Sequence, residues 1–276
     1  KIFGPWEQIL GQPESLARES RRPAAEVGVG EDNRLLLRLP PDCHTCPPTG
    51  TLGRCGSAGG SGGWSDAVVR SQRVARMLQI ADQAIIVAGS PVQPGAFTGL
   101  AERHPQVEKT VSLEVEARRL LTTDFSRQQL SDFIRGVCAW GGYPGTAARV
   151  LGQNAWPDIQ RQFGSAIAAL SLDPPDVQSA LRAVRRVRHL GLSFASKHLR
   201  LLRPDVCPVL DSTLSEKLGY PLDSRGYQRF SDDCQKVAAL LQRLGVRNPL
   251  GRDGGKWFAA DVEMALFVYV KERSRG

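Results

Sequence analysis

A mainly α-helical domain behind an irregular N-terminal arm is the fold class this sequence predicts, on three observations. From Trp64 onward apolar residues recur at helical spacing. Val177, Leu181, Val184 and Val187 form one stripe, and Tyr227, Phe230, Cys234, Val237, Leu241 and Leu244 form another. Capping residues and glycine or proline stops separate these stripes, and few segments alternate with period two. Before Trp64 the pattern is lost: residues 53–63 read GRCGSAGGSGG, six glycines in eleven positions. So glycine-rich a segment loses too much backbone entropy on ordering to fold alone. Residues 1–63 are therefore predicted as a Pro/Gly-rich arm and linker, and 64–276 as the helical domain.

Taken in order, Ser65 and Asp66 cap a predicted helix running to about Ala84. Ile85 to Ala88 reads as a short strand or a buried helix end, stopped in either case by Gly89. Asp124 or Ser126 caps a helix that ends at Trp140, where Gly141 and Gly142 stop it. Pro157 suits a first helical turn, and Asp158 complements the helix dipole there. Asp173-Pro174-Pro175 opens the helix carrying the Val177 stripe. The turn His189-Leu190-Gly191-Leu192-Ser193 leads into a helix through Leu202, broken by Arg203-Pro204-Asp205. Asp211-Ser212 starts the next. An amphipathic helix covers Ser224 to Gly245, and a strongly apolar one covers Trp257 to Lys271.

Composition excludes several classes of protein. At 41% hydrophobic and 23% charged, the 276 residues are too apolar for a disordered chain and long enough to bury a core. No apolar run approaches the roughly 18–20 residues of a membrane span, so no membrane association is expected. The opening KIFGPWEQIL lacks an initiator Met and shows no signal-peptide pattern. Six cysteines are too few for a disulfide framework, so a reducing, cytoplasmic compartment is expected. Cys43, His44, Cys46 and Cys55 offer soft ligands, but a second paired knuckle is absent and no metal is expected.

The net charge of +8 favours anionic partners. The charge is concentrated between residues 177 and 204, which hold Arg182, Arg185, Arg186, Arg188, Lys197, Arg200, Arg203, two histidines and no acid. At the centre is helix, tight turn, helix. Such a turn presents backbone N–H groups and the positive end of the second helix to phosphate oxygens, and flanking arginines add sequence-independent attraction. The plainer alternative is a solvated basic face.

Downstream lie Lys197, Pro204 and Pro208-Val209-Leu210-Asp211-Ser212. With the Gly-containing hairpin before them, these residues resemble the helix-hairpin-helix DNA glycosylases. The stretch LGLSFASKHLRLLRPDVCPVLDSTL resembles most the bacterial and archaeal 8-oxoguanine-glycosylase-like branch. FIRGVCAWGGYPG and ADVEMALFVYV are similar to that branch as well, so the resemblance spans roughly residues 120–272. It does not reach residues 1–63. The family's hairpin usually reads Gly-x-Gly-x-Lys. Here Ser193 stands at the second glycine and Ala195 at the lysine. The lysine on offer, Lys197, comes two residues later, about 200° around a regular helix.

The resemblance implies a helix-hairpin-helix fold and an enzyme that flips a damaged or modified base from double-stranded DNA and cleaves its N-glycosidic bond. It implies a monomer without a cofactor. The four-cysteine cluster of some superfamily members cannot form in its usual place, because the last cysteine is Cys234. Asp211 is the implied carboxylate, stabilising positive charge on the sugar. Lys197 is the implied amine, able to form a Schiff base and so permit strand cleavage. Asp211 also reads as a plain N-cap, and both roles are compatible; Lys197 also reads as a phosphate contact. His189, Gly191, Ser193, Arg185, Arg188 and Arg200 are the expected DNA contacts. Trp140, Tyr143, Phe194 and Trp257 are candidates for the base pocket or a wedge into the duplex, each with a core reading beside it. The nearest branch suggests an oxidised purine; a bulky modified phage base, and hence a defence role, is the other substrate class. The competing function is a non-catalytic helix-hairpin-helix module that only binds DNA; a third class is a helical RNA- or protein-binding domain.

Overall fold

The computed structural model describes residues 77–81, 83–122 and 125–274, all within the unit Ala58–Gly276. The expected arm, the start of the helix expected from Ser65, and Cys43, His44, Cys46 and Cys55 lie outside the described residues.

The described chain opens with a small antiparallel sheet, β1 (Gln79–Ala81), β2 (Ala84–Val87) and β3 (Ser90–Val92), in sequential order. The helix expected to reach Ala84 is therefore corrected over its last residues, and Ile85-Ile86-Val87 resolves as a strand. Ile85 and Val87 are fully buried and Ile85 pairs with Val92, so one face of β2 is core. Ala88 and Gly89 both take positive φ, 52° and 78°, as a two-residue hairpin turn demands.

Helices make up most of the rest. They are α1 (Ala96–Glu102), α2 (Val107–Thr122), α3 (Arg127–Trp140), α4 (Gly145–Gln153), α5 (Trp156–Leu170), α6 (Val177–Arg185), α7 (Leu192–Leu202), α8 (Ser212–Leu218), α9 (Ser224–Arg243) and α10 (Ala259–Arg273). Side chains fix the starts of several. Ser126 and Gln129 form a reciprocal capping box on α3. Asp176, Asp211 and Asp223 each accept a first-turn N–H of α6, α8 and α9, at 2.8, 2.9 and 2.8 Å. In α9, Gly226 is obligatory, because a Cβ there would lie 1.9 Å from the Pro221 carbonyl oxygen.

Helix α10 is the centre of the domain. Val262, Ala265 and Leu266 are buried, and so are Asp261, Glu263 and Met264 between them. A helix buried on every side shows no amphipathic stripe, which is why ADVEMALFVYV reads as uniformly apolar. It packs against α1, α8 and α9. The expected start at Trp257 is corrected by two residues: Trp257 precedes the helix, and Asp261 accepts the Phe258 N–H to begin it. No helix among the described residues is long and apolar enough to cross a membrane.

Candidate active site

Helices α6 and α7 pack against each other across the turn 186–191. Val187 and Leu190 plug the turn into the core, and His189 takes φ 75° to reverse the chain. Asn154, at the end of α4, splints it: its side chain accepts the Arg188 N–H (2.9 Å) and donates to the Arg188 carbonyl (3.2 Å) and the Val150 carbonyl (2.8 Å). The His189 ring nitrogen Nε2 pairs with Gln153 Oε1 at 2.8 Å. Gly191 is exposed and no side chain caps α7. Arg185, Arg186 and Arg188 are exposed around the turn, and none has an acidic partner among the described residues. Ser193 is half-buried, and its carbonyl accepts the Ser196 hydroxyl.

Arg200 does not belong to that surface. It is fully buried, paired with Glu114 at 2.9 Å, and is corrected from DNA contact to interior ion pair. It lies on the face of α7 that packs on α2, opposite solvent. Trp257 is likewise a core residue: it is 3% exposed, gives its N–H to the Val246 carbonyl, and meets Phe97 edge-on, so it lines no base pocket. Trp140 is half-buried and built in, donating to Thr110 Oγ1 at 2.9 Å with Arg200 over its ring. Tyr143 is different: it is 64% exposed, its ring 6.0 Å from that of Phe194.

Lys197 sits behind those two aromatics. Its Nζ lies 5.0 Å from the Phe194 ring centre, and its stem runs against Gly141, where a Cβ would come within 3.2 Å of the lysine Cδ. Ala195, Ser196 and His198 are buried while Lys197 is only half-buried. Position 195 is therefore part of the core, and position 197 keeps partial exposure. No carboxylate lies within the 4.0 Å ion-pair distance of Nζ among the described residues. Burial holds the Lys197 amine below its ordinary pKa, opposed at longer range by Asp211, Glu263 and the Cys138 thiol. Cys138 is itself pushed up to about 11 by burial.

A hydrogen bond ties the segment before Asp211 to α7: Ser196 Oγ accepts the Leu210 N–H at 3.2 Å, while its one proton goes to the Ser193 carbonyl at 3.0 Å. Ser196 precedes Lys197 and Leu210 precedes Asp211, so this bond joins the two segments, and the Lys197 and Asp211 charges interact across it from beyond ion-pair distance. Asp211 commits one oxygen to the Leu214 N–H and leaves the other open; it is a helix cap and a half-buried carboxylate at once.

Four acidic or basic groups at the back of this cluster escape a reading of the sequence. Glu114 on α2 receives Arg200 and both terminal nitrogens of Arg252; Arg252 also grips Asp261 at 2.7 Å, and Asn248 joins Asp261 at 2.8 Å. Glu263, 4% exposed, accepts the Val209 N–H and faces Arg200, Asp211 and Lys197. Burial lifts its carboxyl to about 8. The available signal was two acids inside an otherwise apolar helix, since such groups are buried only with partners.

The described residues contain no cluster of three or more His, Cys, Asp or Glu able to hold a metal ion. No protein-family model, curated protein or solved structure matches this chain.

Proposed function

We propose that the chain is a DNA N-glycosylase of the helix-hairpin-helix kind, which removes a modified base from double-stranded DNA. One observation carries the reading: a partly buried lysine without an ion pair stands on the helix to which the backbone before Asp211 is hydrogen-bonded, next to an arginine-rich turn. An ordinary surface lysine is solvated and an ordinary buried one is paired. An amine kept from both is suited to nucleophilic attack.

The turn 186–191 engages the phosphate backbone through the open N–H groups of α7 and through Arg185 and Arg188. Tyr143, exposed at the rim, enters the stack or holds the extruded base against Phe194. As the C1′–N bond breaks, its electron pair leaves with the base. Asp211 stabilises the positive charge that develops on the sugar. The Lys197 lone pair forms the Nζ–C1′ bond, and the proton that Nζ then sheds goes to the departing base. The C1′–O4′ bond then breaks, its electron pair going to O4′, which takes a proton from solvent, while the Nζ lone pair completes the protonated Schiff base that borohydride traps covalently.

The test is a panel of duplexes, each with one oxidised, alkylated or bulky natural modification, incubated with and without borohydride. Base release with trapping is expected on one class of duplex. Lys197→Ala abolishes the trapped species, and Asp211→Asn slows release by about 10²-fold or more. Tight binding to duplex with no release from any member overturns the enzymatic reading in favour of a binding module.

A further inference from the structure

A recess on α3, α4 and α5 takes no part in the chemistry above. It encloses about 300 Å³, the lower end of the range for small-molecule sites. Arg127, Ser131 and Arg135 line it from one face of α3, four residues apart, with Gln128 beside them; Leu151 of α4 and Trp156 of α5 complete the lining. Its polar groups are left open. Ser131 is 7% exposed, yet its hydroxyl has no hydrogen-bond partner among the described residues. A buried hydroxyl without a partner is costly, so such a group faces water or a ligand. Gln128 gives its amide nitrogen to both Asp132 oxygens, at 2.9 and 2.7 Å, and keeps its carbonyl oxygen as a free acceptor. Arg135 spends one nitrogen on Asp132, at 3.0 Å. Arg127 has no acidic partner among the described residues, and its guanidinium lies 5.4 Å from the Trp156 ring centre. Two guanidinium groups against one carboxylate leave the recess with an excess of positive charge.

We propose that this recess binds one nucleotide unit, a flat base joined to a phosphate. A purely apolar ligand would bury the two guanidinium groups without partners, and a neutral sugar would leave Arg127 without a counter-charge. A bare anion would leave the Trp156 face unused. A nucleotide meets all of these groups. Its phosphate oxygens accept from the Ser131 hydroxyl and from Arg127 and Arg135, which start about 12 Å apart along α3 with Ser131 midway. Its base stacks on Trp156 or on the flat guanidinium beside it. A base N–H donates to the Gln128 carbonyl oxygen. The unit comes from a free nucleotide or from an unpaired strand; both present the same chemistry, and the test tells the sources apart. Leu151 and Trp156 flank Gln153 and Asn154, which fasten the turn 186–191, so the recess borders the segment that supports the turn. The inference goes beyond the glycosylase reading and requires no base excision.

The test is calorimetric titration of the full chain with deoxyadenosine 5′-monophosphate, deoxyadenosine, deoxyribose 5-phosphate, inorganic phosphate and a short single strand of deoxyadenosine. The monophosphate or the strand should bind about tenfold or more tightly than deoxyadenosine or either phosphate lacking a base, because stacking and ionic contact both contribute. Trp156→Leu, Ser131→Ala and Arg127→Gln should each weaken that binding about tenfold. Arg127 is exposed and Ser131→Ala removes one oxygen, so these two variants decide the matter if the tryptophan variant fails to fold. Arg188→Ala, on the turn, should leave monophosphate affinity within about twofold. Saturable binding of the monophosphate identifies a free nucleotide as the source. Binding of the strand alone, weakened by Arg127→Gln and Ser131→Ala, identifies an unpaired strand. No saturable binding of either overturns the inference. So does an affinity that Arg127→Gln and Ser131→Ala leave unaltered, or inorganic phosphate binding as tightly as the monophosphate. Base release by a chain that binds no nucleotide here leaves the glycosylase reading standing and removes this one. Nucleotide binding at the recess by a chain that releases no base does the reverse.

Discussion

Replacing Arg252 with Met should destabilise the domain far more than replacing Arg200 with Met, although Arg200 is the more deeply buried. Arg252 is the keystone of the interior charges. Its terminal nitrogens hold both oxygens of Glu114, and its Nε and Nη2 hold Asp261 at 3.1 and 2.7 Å. Without it, among the described residues, Asp261 keeps Asn248 and the Phe258 N–H, and Glu114 keeps Arg200. Leaving a buried charge uncompensated costs about 3–5 kcal/mol. Removing Arg200 leaves Glu114 with both of its Arg252 bonds, so the loss should be nearer one buried hydrogen-bonded group, about 1–3 kcal/mol. In a domain of this size each kcal/mol lowers Tm by about 2–4 °C, so Arg252→Met should melt roughly 6–20 °C early. Urea titrations at neutral pH, with the m-value checked for constancy, measure both variants. Arg252→Met within about 1 kcal/mol of wild type, or Arg200→Met costing more than Arg252→Met, would refute the charge accounting.

Three further outcomes are expected. Gly141→Ala places a methyl 3.2 Å from the Lys197 Cδ and 3.3 Å from Phe194 Cε1; trapping should fall by about tenfold to 10²-fold with little change in Tm, and unaltered trapping would remove Gly141 from the site. Arg185→Ala and Arg188→Ala should each lower the slope of log affinity against log salt by about 1, measured by fluorescence anisotropy on duplex DNA, while Arg200→Met leaves it unchanged. Stability should depend on pH through buried groups of opposite kind. Glu263, at about 8 in the fold against an ordinary 4.5, retains a proton that the unfolded chain releases, so stability drains away as pH rises between those values. Glu263→Gln should therefore gain on wild type across that window in pH-resolved melts. His198 and His104, both lowered from 6.5 to about 4 by burial, take stability away as pH falls through the same two values.

The sequence exposes local features of this fold and conceals the distant ones. Asp211, Ser126 and the Val177 stripe announce their helices because a cap or an apolar face needs only three or four neighbours to be recognised. The strands between Gln79 and Val92 span three or four residues each, too few to establish an alternating period. Helix α2 escapes notice because Val111 and Val115 lie outward, 41% and 38% exposed, and blur its stripe. Lys197 and Asp211 draw notice because both belong to one short stretch, and their charges interact in the fold from beyond ion-pair distance. Glu114 and Arg252 are separated by 138 positions, and only the folded chain reveals them as partners. Arg200 misled for the complementary reason: within a basic run, nothing local distinguishes an arginine facing water from one facing Glu114.

The splint at Asn154 has a mechanical consequence. The main chain of Arg188 is fastened at both its N–H and its carbonyl, and Asn154 is in turn fastened to the last turn of α4. A load pulling on the guanidinium passes into α4 and then the domain interior instead of bending the reverse turn. Gripping a polymer would then immobilise one flexible side chain while the backbone beneath it stays as it was. If the proposed reading holds, the entropic penalty of binding duplex DNA is confined to a few methylene rotors, and Asn154→Ala should weaken association measured by fluorescence anisotropy.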